Sequence, residues 1–535
     1  MGAMGDGVVS SRQGLEGTER EHDMGLGKGL AALRNGSDIR GVALEGVPGE
    51  EVNLTSEAVR SLTQGFLRWL VARSGKACDQ LVVALGRDSR LSGPSIVAIV
   101  ADELLAHGVT VIDCGIATTP AMFMSCVFDE VSADASVMVT ASHLPWNRNG
   151  LKFFTADGGV ESSDIVEITE LAEAGEPELS AVAEKAEAQQ FDLIDLYAAH
   201  LRSLICEQLG EVDPLAGLSI VVDAGNGAGG FYATKVLAPL GADVSASQFL
   251  EPDGHFPNHV PNPENAEAME SITQAVKAAG ADLGIIFDTD VDRSSAVDEN
   301  AREINRNAIV ALAATLVAQN HPGTTVVTDS VTSDELTKFL EEDLGLHHLR
   351  YRRGYRNVIN KMIELNAEGV DCQLAIETSG HAAFLDNYAL DDGAYLGTLI
   401  VCAAARLKRE GKGISELVAG LKEPAESREV RMHITEDEFR AKGFEVLALC
   451  ESWVDEDAQK AAGEGVMVTL AKPNFEGVRA NFSGAVNGWF LLRMSLHDPI
   501  LPLNIESSEP GGVEAIAATL RTFFSHVEGV DSSAL

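Results

Sequence analysis

Short apolar runs recur along the chain, each bounded by turn residues and followed by a helical pattern. "LVVALGRDSRLSG" (81–93), "LSIVVDAGNGAGG" (218–230) and "TTVVTDSVTS" (324–333) repeat one local arrangement. Runs of this length, rich in Val, Ile and Leu, predict buried parallel strands. The intervening "SIVAIVADELLAHG" (95–108) and "AEAMESITQAVKAAG" (266–280) read as helices that stop at glycine. A second set of runs ends in chemistry: "SVMVTASH" (136–143), "LGIIFDTDVDR" (283–293) and "CQLAIETSGH" (372–381). Each set falls once into segments 36–205, 206–308 and 309–423, which predicts three similar α/β domains with mixed, largely parallel sheets. In such sheets ligands sit beyond the carboxyl ends of the strands, so the three chemical loops are expected to face one central cleft. Segment 424–535 differs. Its "VNGWFLLRMSLHDPILPLNIES" (486–507) reads as two strands around a polar loop, in a smaller α+β domain. Residues 1–35, rich in glycine and charge, are expected to be poorly ordered and could retain part of a processed targeting segment.

Composition narrows the partners. The 535 residues suit several domains at about 100–200 residues each. The 81 acidic and 40 basic residues give a formal charge of −41. That argues against nucleic acid or an anionic membrane as a partner, and any local cluster of cations is expected to hold an anion. Seven scattered cysteines with no Cys-x-x-Cys pair suit a reduced intracellular protein without structural zinc. "YLGTLIVCAAARL" (395–407) is too short to span a bilayer, and Asp6 breaks the myristoylation pattern that Gly2 begins.

Asp288, Asp290 and Asp292 alternate directly after an apolar strand. Carboxylates that close repel unless a cation holds them, and an all-oxygen set suits Mg²⁺ or Ca²⁺. Glu299 stands at the twelfth position of an EF-hand loop, but Arg293 occupies the glycine position and a strand precedes it. A haloacid-dehalogenase-type Asp-x-Asp loop is disfavoured by the third Asp and the mid-chain position. Ser142 beside His143 offers a phosphoryl carrier or an acyl nucleophile. No Gly-x-Ser-x-Gly elbow supports a hydrolase. Lys152 adds a cation. "RYRRGYRNV" (350–358) packs four arginines into an acidic chain and reads as an anion clamp or a solvated face. Arg493, Ser495 and His497 could cradle a phosphate or form a surface turn. Glu377, Ser379 and His381 could bind sugar hydroxyls or move protons.

Taken in order, these loops resemble the α-D-phosphohexomutase superfamily from about Arg40 onward. "TASHLP" resembles its phosphoserine loop, "DTDVDR" its metal loop and "IETSGH" its sugar loop. "DIRG" (38–41), "GRDSRLSG" (86–93), "VVDAGNGAGG" (221–230) and "PDGHFPNHVPNPE" (252–264) are smaller matches. "NGSDIRGVALEG" looks like a plastid branch, which favours the plastid stroma over the cytoplasm. The resemblance implies a Mg²⁺-dependent mutase of hexose 1- and 6-phosphates. Ser142 would be the phosphorylated carrier, and one Mg²⁺ would sit on its phosphate and Asp288, Asp290 and Asp292. Hexose 1,6-bisphosphate would be intermediate and activator.

Further roles are implied residue by residue. Arg40, Lys152 and Arg293 would surround the transferring phosphoryl group, with His143 and Lys152 moving protons. Glu377 and Ser379 would read the sugar, beside His381. Arg356 sits where many relatives carry a substrate-binding Lys, and Arg493, Ser495 and His497 match the distal phosphate loop. The implied partners are small hexose phosphates, with the protein a monomer or weak dimer. Charge supports a phosphate site: a phosphoserine, a hexose phosphate and three aspartates around one Mg²⁺ leave roughly −5, which demands arginines and lysine. Leu144, Thr289, Leu496 and His497 depart from the family pattern. They leave two alternatives, a hexose 1,6-bisphosphate synthase and a weakly catalytic regulatory or scaffolding homologue.

Overall fold

The computed structural model describes residues 29–210, 212–495 and 498–535. Residues 1–28, most of the segment expected to lack order, lie outside the described residues. The remainder of that segment is ordered: Gly29–Leu33 forms a 3-10 helix, and Arg34–Asn35 pairs with Asp38–Val42 at the edge of the first sheet.

The first three domains repeat one device. In the first, Val82–Arg87 lies parallel to both Thr110–Ile116 and Ala135–Val139. Ala135–Val139 then turns back as the antiparallel strand Arg148–Thr155. In the second, Ile220–Asp223 and Leu283–Phe287 are parallel, and Leu283–Phe287 returns as Ser294–Val297. In the third, Thr325–Thr328 lies parallel to His347–Arg350 and Cys372–Ile376, and Cys372–Ile376 returns as Ala382–Phe384. Each chemical loop is therefore the turn of a hairpin that closes a parallel run. These are mixed sheets, in which every side chain of Ala135–Val139 and Leu283–Phe287 is buried. Burial on both faces accounts for their continuous apolar sequences.

Helices cover the sheets. Ser56–Ser74 starts at Thr55, whose hydroxyl accepts the Ala58 N–H at 3.2 Å, and stops at left-handed Gly75. It buries Val59, Leu62, Phe66 and Leu70, with Phe66 stacked 4.6 Å from Phe153. The apolar 395–407 stretch lies in helix Gly393–Arg409, which is buried in a core shared by all three domains. That core joins Phe123 and Phe154 of the first domain, Tyr232 and Phe287 of the second, and Phe384 and Ile400 of the third. Among the described residues no helix is long and apolar enough to cross a membrane.

The fourth domain has its own core of Phe490, Leu503, Ile505, Ile516 and Leu520. Its sheet is antiparallel throughout, with Gly488–Leu492 and Ile500–Ser507 at the centre. Two side chains fasten it to the third domain. Arg479, 3% exposed, stacks 3.7 Å from the Trp489 ring centroid. It donates to Ser330 O at 3.1 Å, Thr332 O at 3.3 Å and Asp334 Oδ1 at 2.9 Å. Glu476 accepts from the Ser330 hydroxyl and from the Arg353 N–H.

Candidate active site

The first two chemical loops meet. Ser142 is 1% exposed and has a φ of +49°. That left-handed conformation costs a non-glycine residue about 1–3 kcal/mol. Its Oγ donates to Asp288 Oδ2 at 2.9 Å, across 146 residues of chain. The Ser142 N–H donates to Thr140 Oγ1 at 2.9 Å, and Thr140 Oγ1 donates to buried Asp88 at 2.7 Å. The third loop adjoins them: the Ser294 N–H donates to Gly380 O at 3.3 Å, and Arg293 bridges to His381 in the antiparallel sense.

Asp288, Asp290 and Asp292 are buried, with one ligand atom from each within 4.8 Å of the others. Burial first, and then the charges of Asp292 and Asp290, push the Asp288 carboxyl well above its usual range. At Asp292 burial acts the same way, but Lys152, His381 and Arg293 outweigh it and hold that carboxyl low. Lys152 Nζ lies 2.5 Å from Asp292 Oδ2 and 3.2 Å from Asp290 Oδ2. Burial favours its neutral form, yet these two carboxylates keep its pKa raised. Asp290 Oδ2 also accepts from the Thr119 hydroxyl at 2.6 Å. Asp290 Oδ1 and Asp292 Oδ1 are buried with no hydrogen-bond partner. Unpartnered buried carboxylate oxygens in an all-oxygen triad fit a hard divalent cation.

Arg293 lies between the serine and the acids. Its Nη2 donates to His143 Nδ1 at 2.8 Å, its Nε lies 3.8 Å from Asp288 Oδ2, and its Nη1 lies 3.6 Å from Glu264 Oε2. The Arg293 charge, then burial and Arg40, push the His143 pKa down to about 2, which keeps the imidazole neutral. Arg40 pairs with Asp38 at 2.8 Å, and its buried Nε has no partner.

In the sugar loop, Glu377 accepts the Gly354 N–H at 2.6 Å and the Ser379 hydroxyl at 3.4 Å. His381 Nδ1 lies 2.5 Å from Asp391 Oδ2, and its ring stacks on Tyr355 at 5.1 Å. Burial lowers the His381 pKa, but the Asp391 carboxylate outweighs it and raises the value.

The four arginines of 350–358 diverge instead of forming one clamp. Arg350 bonds Asp334, and Arg352 donates to Phe475 O at 3.1 Å in the fourth domain. Arg356 is tied to Glu161 of the first domain. It lines, with Lys152, Asp292 and Asp391, a crevice of about 40 Å³. Arg353 faces Glu264 at 3.5 Å and lines a cavity of about 570 Å³ with Thr378, Glu429, Arg431 and Trp489. Burial and the nearby Arg353 charge lower the Arg493 pKa. The buried Arg493 Nε has no partner. Ser495 Oγ accepts the Asp498 N–H at 3.2 Å. His497 and Leu496, expected in the distal loop, lie outside the described residues.

Sequence reasoning missed Asp88, Thr119, Glu264 and Asp391, and named Arg353 only as one of the four clustered arginines. Glu264 and Asp391 had a signal. Glu264 ends the "PNPE" match and Asp391 opens "DDG", but nothing local shows that they face Arg293 and His381.

A buried hydroxyl against three converging carboxylates, ringed by arginine and lysine, fits an enzyme centre with a divalent-metal site. Comparison with known proteins agrees. Residues 32–178, 195–301 and 305–424 match the phosphoglucomutase/phosphomannomutase alpha/beta/alpha domains I, II and III in turn. The chain belongs to the α-D-phosphohexomutase superfamily. A phosphomannomutase/phosphoglucomutase of Pseudomonas putida is 28% identical over 494 residues, covering 92% of this chain and 95% of that protein. A phosphoglucomutase/phosphomannomutase of Thermococcus kodakarensis is 29% identical over 466 residues, covering 87% and 93%. A crystal structure of a phosphoglucomutase/phosphomannomutase family protein from Burkholderia thailandensis superimposes with a TM-score of 0.73 at 26% identity. It covers 93% of this chain and 98% of that one.

Proposed function

We propose that the protein interconverts a hexose 1-phosphate and the corresponding hexose 6-phosphate, of gluco or manno configuration. The route runs through a phosphoserine at Ser142 and a hexose 1,6-bisphosphate. The observation that carries this reading is the buried Ser142 Oγ, 2.9 Å from Asp288 Oδ2 at the rim of the carboxylate triad.

Asp288, Asp290 and Asp292, with an oxygen of phosphorylated Ser142, would hold one Mg²⁺, which when bound neutralises charge on the transferring group. In the first half-reaction the bond from phosphorus to Ser142 Oγ breaks. A bond from phosphorus to the free sugar hydroxyl oxygen forms, and that hydroxyl proton leaves to a base in the cleft. The bisphosphate turns around, and its other phosphoryl group returns to Ser142. Arg293, Arg40 and Lys152 supply positive charge around the phosphoryl group. His143 and Lys152 flank the serine as proton-transfer groups, and His381, oriented by Asp391, stands beside the sugar. Glu377 and Ser379 bind sugar hydroxyls. Arg353 joins Arg493 and Ser495 as a candidate for holding the phosphate that is not reacting, because its guanidinium lines the large cavity while Arg356 is committed to Glu161.

Intact mass and phosphopeptide mapping after incubation with hexose 1,6-bisphosphate test the carrier. A phosphate on the Ser142 peptide is expected, with mutase activity in Ser142→Ala reduced on the order of 10³-fold or more. Full activity in that variant would overturn the mechanism.

A further inference from the structure

We infer that Arg90, which has no role in the scheme above, is the positioning residue that holds Ser142 in its reactive geometry; the inference rests on the phosphoserine reading. Arg90 is wholly buried and pairs with Asp88, its Nε lying 3.2 Å from Asp88 Oδ2. Its guanidinium serves one loop only. Nη1 donates to Pro145 O at 2.8 Å and Arg148 O at 3.0 Å; Nη2 donates to Leu144 O at 2.6 Å and to Ser142 O. Ser142 and Leu144 lie in the turn between Ala135–Val139 and Arg148–Thr155, outside both strands, so the sheet ladder supplies no donor to their carbonyls, and buried carbonyls need donors. One planar fork supplies those donors and reaches on to Pro145 O and to Arg148 O, at the start of the returning strand; a lysine ammonium cannot span four acceptors in that plane.

Both sides of Ser142 are thereby fixed. Its N–H is held through Thr140 and Asp88, and its C=O by Arg90. Asp88 anchors both arms, so one ion pair defines a left-handed residue that would otherwise relax. Relaxation of φ would swing Oγ away from Asp288. The second domain buttresses the device: Arg90 lies over the Phe256 ring at 5.5 Å. Leu144 fits this role, because the loop uses its carbonyl and not its side chain.

The test uses the full chain carrying Arg90→Lys. Phosphoserine is quantified by intact mass, and single-turnover transfer to glucose 6-phosphate is measured per phosphorylated molecule. The expected result is transfer slowed about tenfold or more, as for a reactive group displaced by a fraction of an ångström, with KM within about twofold. The ³¹P resonance of the phosphoserine should also shift. A merely structural role would lower the yield of folded protein without slowing transfer per phosphorylated molecule. A rate within twofold of wild type in folded Arg90→Lys therefore overturns the inference. Should Arg90→Lys show no cooperative unfolding transition, Thr140→Val, which releases only the N–H side, is judged by the same thresholds. Wild-type protein that takes no phosphate at Ser142 fails the phosphoserine reading itself and the inference with it. Phosphorylated wild type with an unimpaired variant fails the inference alone.

Discussion

The serine loop and the metal loop are both turns of hairpins that close parallel strands, yet they are held in opposite ways. The serine loop is gripped by a side chain, with Arg90 bonding four of its carbonyls. The metal loop is gripped by backbone. The Ala228 N–H donates to Thr289 O at 2.8 Å, the Thr119 N–H to Asp290 O at 2.9 Å and the Gly393 N–H to Val291 O at 3.0 Å. Glycines permit that approach. A Cβ at Gly227 would lie 2.6 Å from Thr289 O, and one at Gly393 would lie 2.5 Å from the Arg293 carbonyl carbon. The difference follows from charge. A loop carrying three carboxylates repels itself and must be wedged from outside, whereas a neutral loop needs only its carbonyls satisfied. The first is built to tolerate electrostatic tension and the second to fix one atom.

The sharpest way to break the contrast is to remove the tension. Asp288→Asn should cut mutase activity on the order of 10³-fold. In EDTA its midpoint of thermal unfolding should equal or exceed that of the wild type, because a like charge is gone. Mg²⁺ should raise the wild-type midpoint by mass action and move the variant's far less. A clear fall in the metal-free midpoint of Asp288→Asn would mean that the triad is not under repulsion. Next comes the wedge. Gly227→Ala should displace Thr289 and cost about 1–3 kcal/mol by denaturant unfolding. Activity should fall while phosphorylated Ser142 still forms; unchanged stability would show that the loop holds itself. The smallest effect is expected outside both loops. Arg356→Gln removes a partly exposed pair with Glu161 worth about 0–1 kcal/mol. Its KM for hexose phosphate should stay within about threefold; a tenfold rise would return Arg356 to the substrate.

What the sequence revealed and what it hid divides along the same line. Ser142 and the aspartates were legible because strand, turn and chemistry are contiguous there. The hairpin return after each chemical loop was not foreseen, since Arg148–Thr155 and Ser294–Val297 follow turns with no signal of antiparallel pairing. The mixed sheets expected from the sequence are thus there, with the antiparallel pairing located directly after each chemical loop. Arg90 lay within a quoted match, but its acceptors are carbonyls 52 to 58 residues away, and carbonyls are identical in every residue. The arginine cluster at 350–358 misled for the opposite reason. Proximity in sequence suggested one clamp, whereas the strand ending at Arg350 and the helix Tyr355–Ala367 aim its members in different directions. Of the four, Arg353 is the one that lines the large cavity.

Arg479 has a consequence for how the seam is held. Three acceptors and an indole face engage one guanidinium, and Glu476 engages two donors beside it. Parting the third and fourth domains would break the three Arg479 bonds together, since one planar group makes them, while its stack on Trp489 of the same domain would stay intact. The stacked indole thus keeps the guanidinium aimed at the seam, ready to re-form all three bonds when the domains meet.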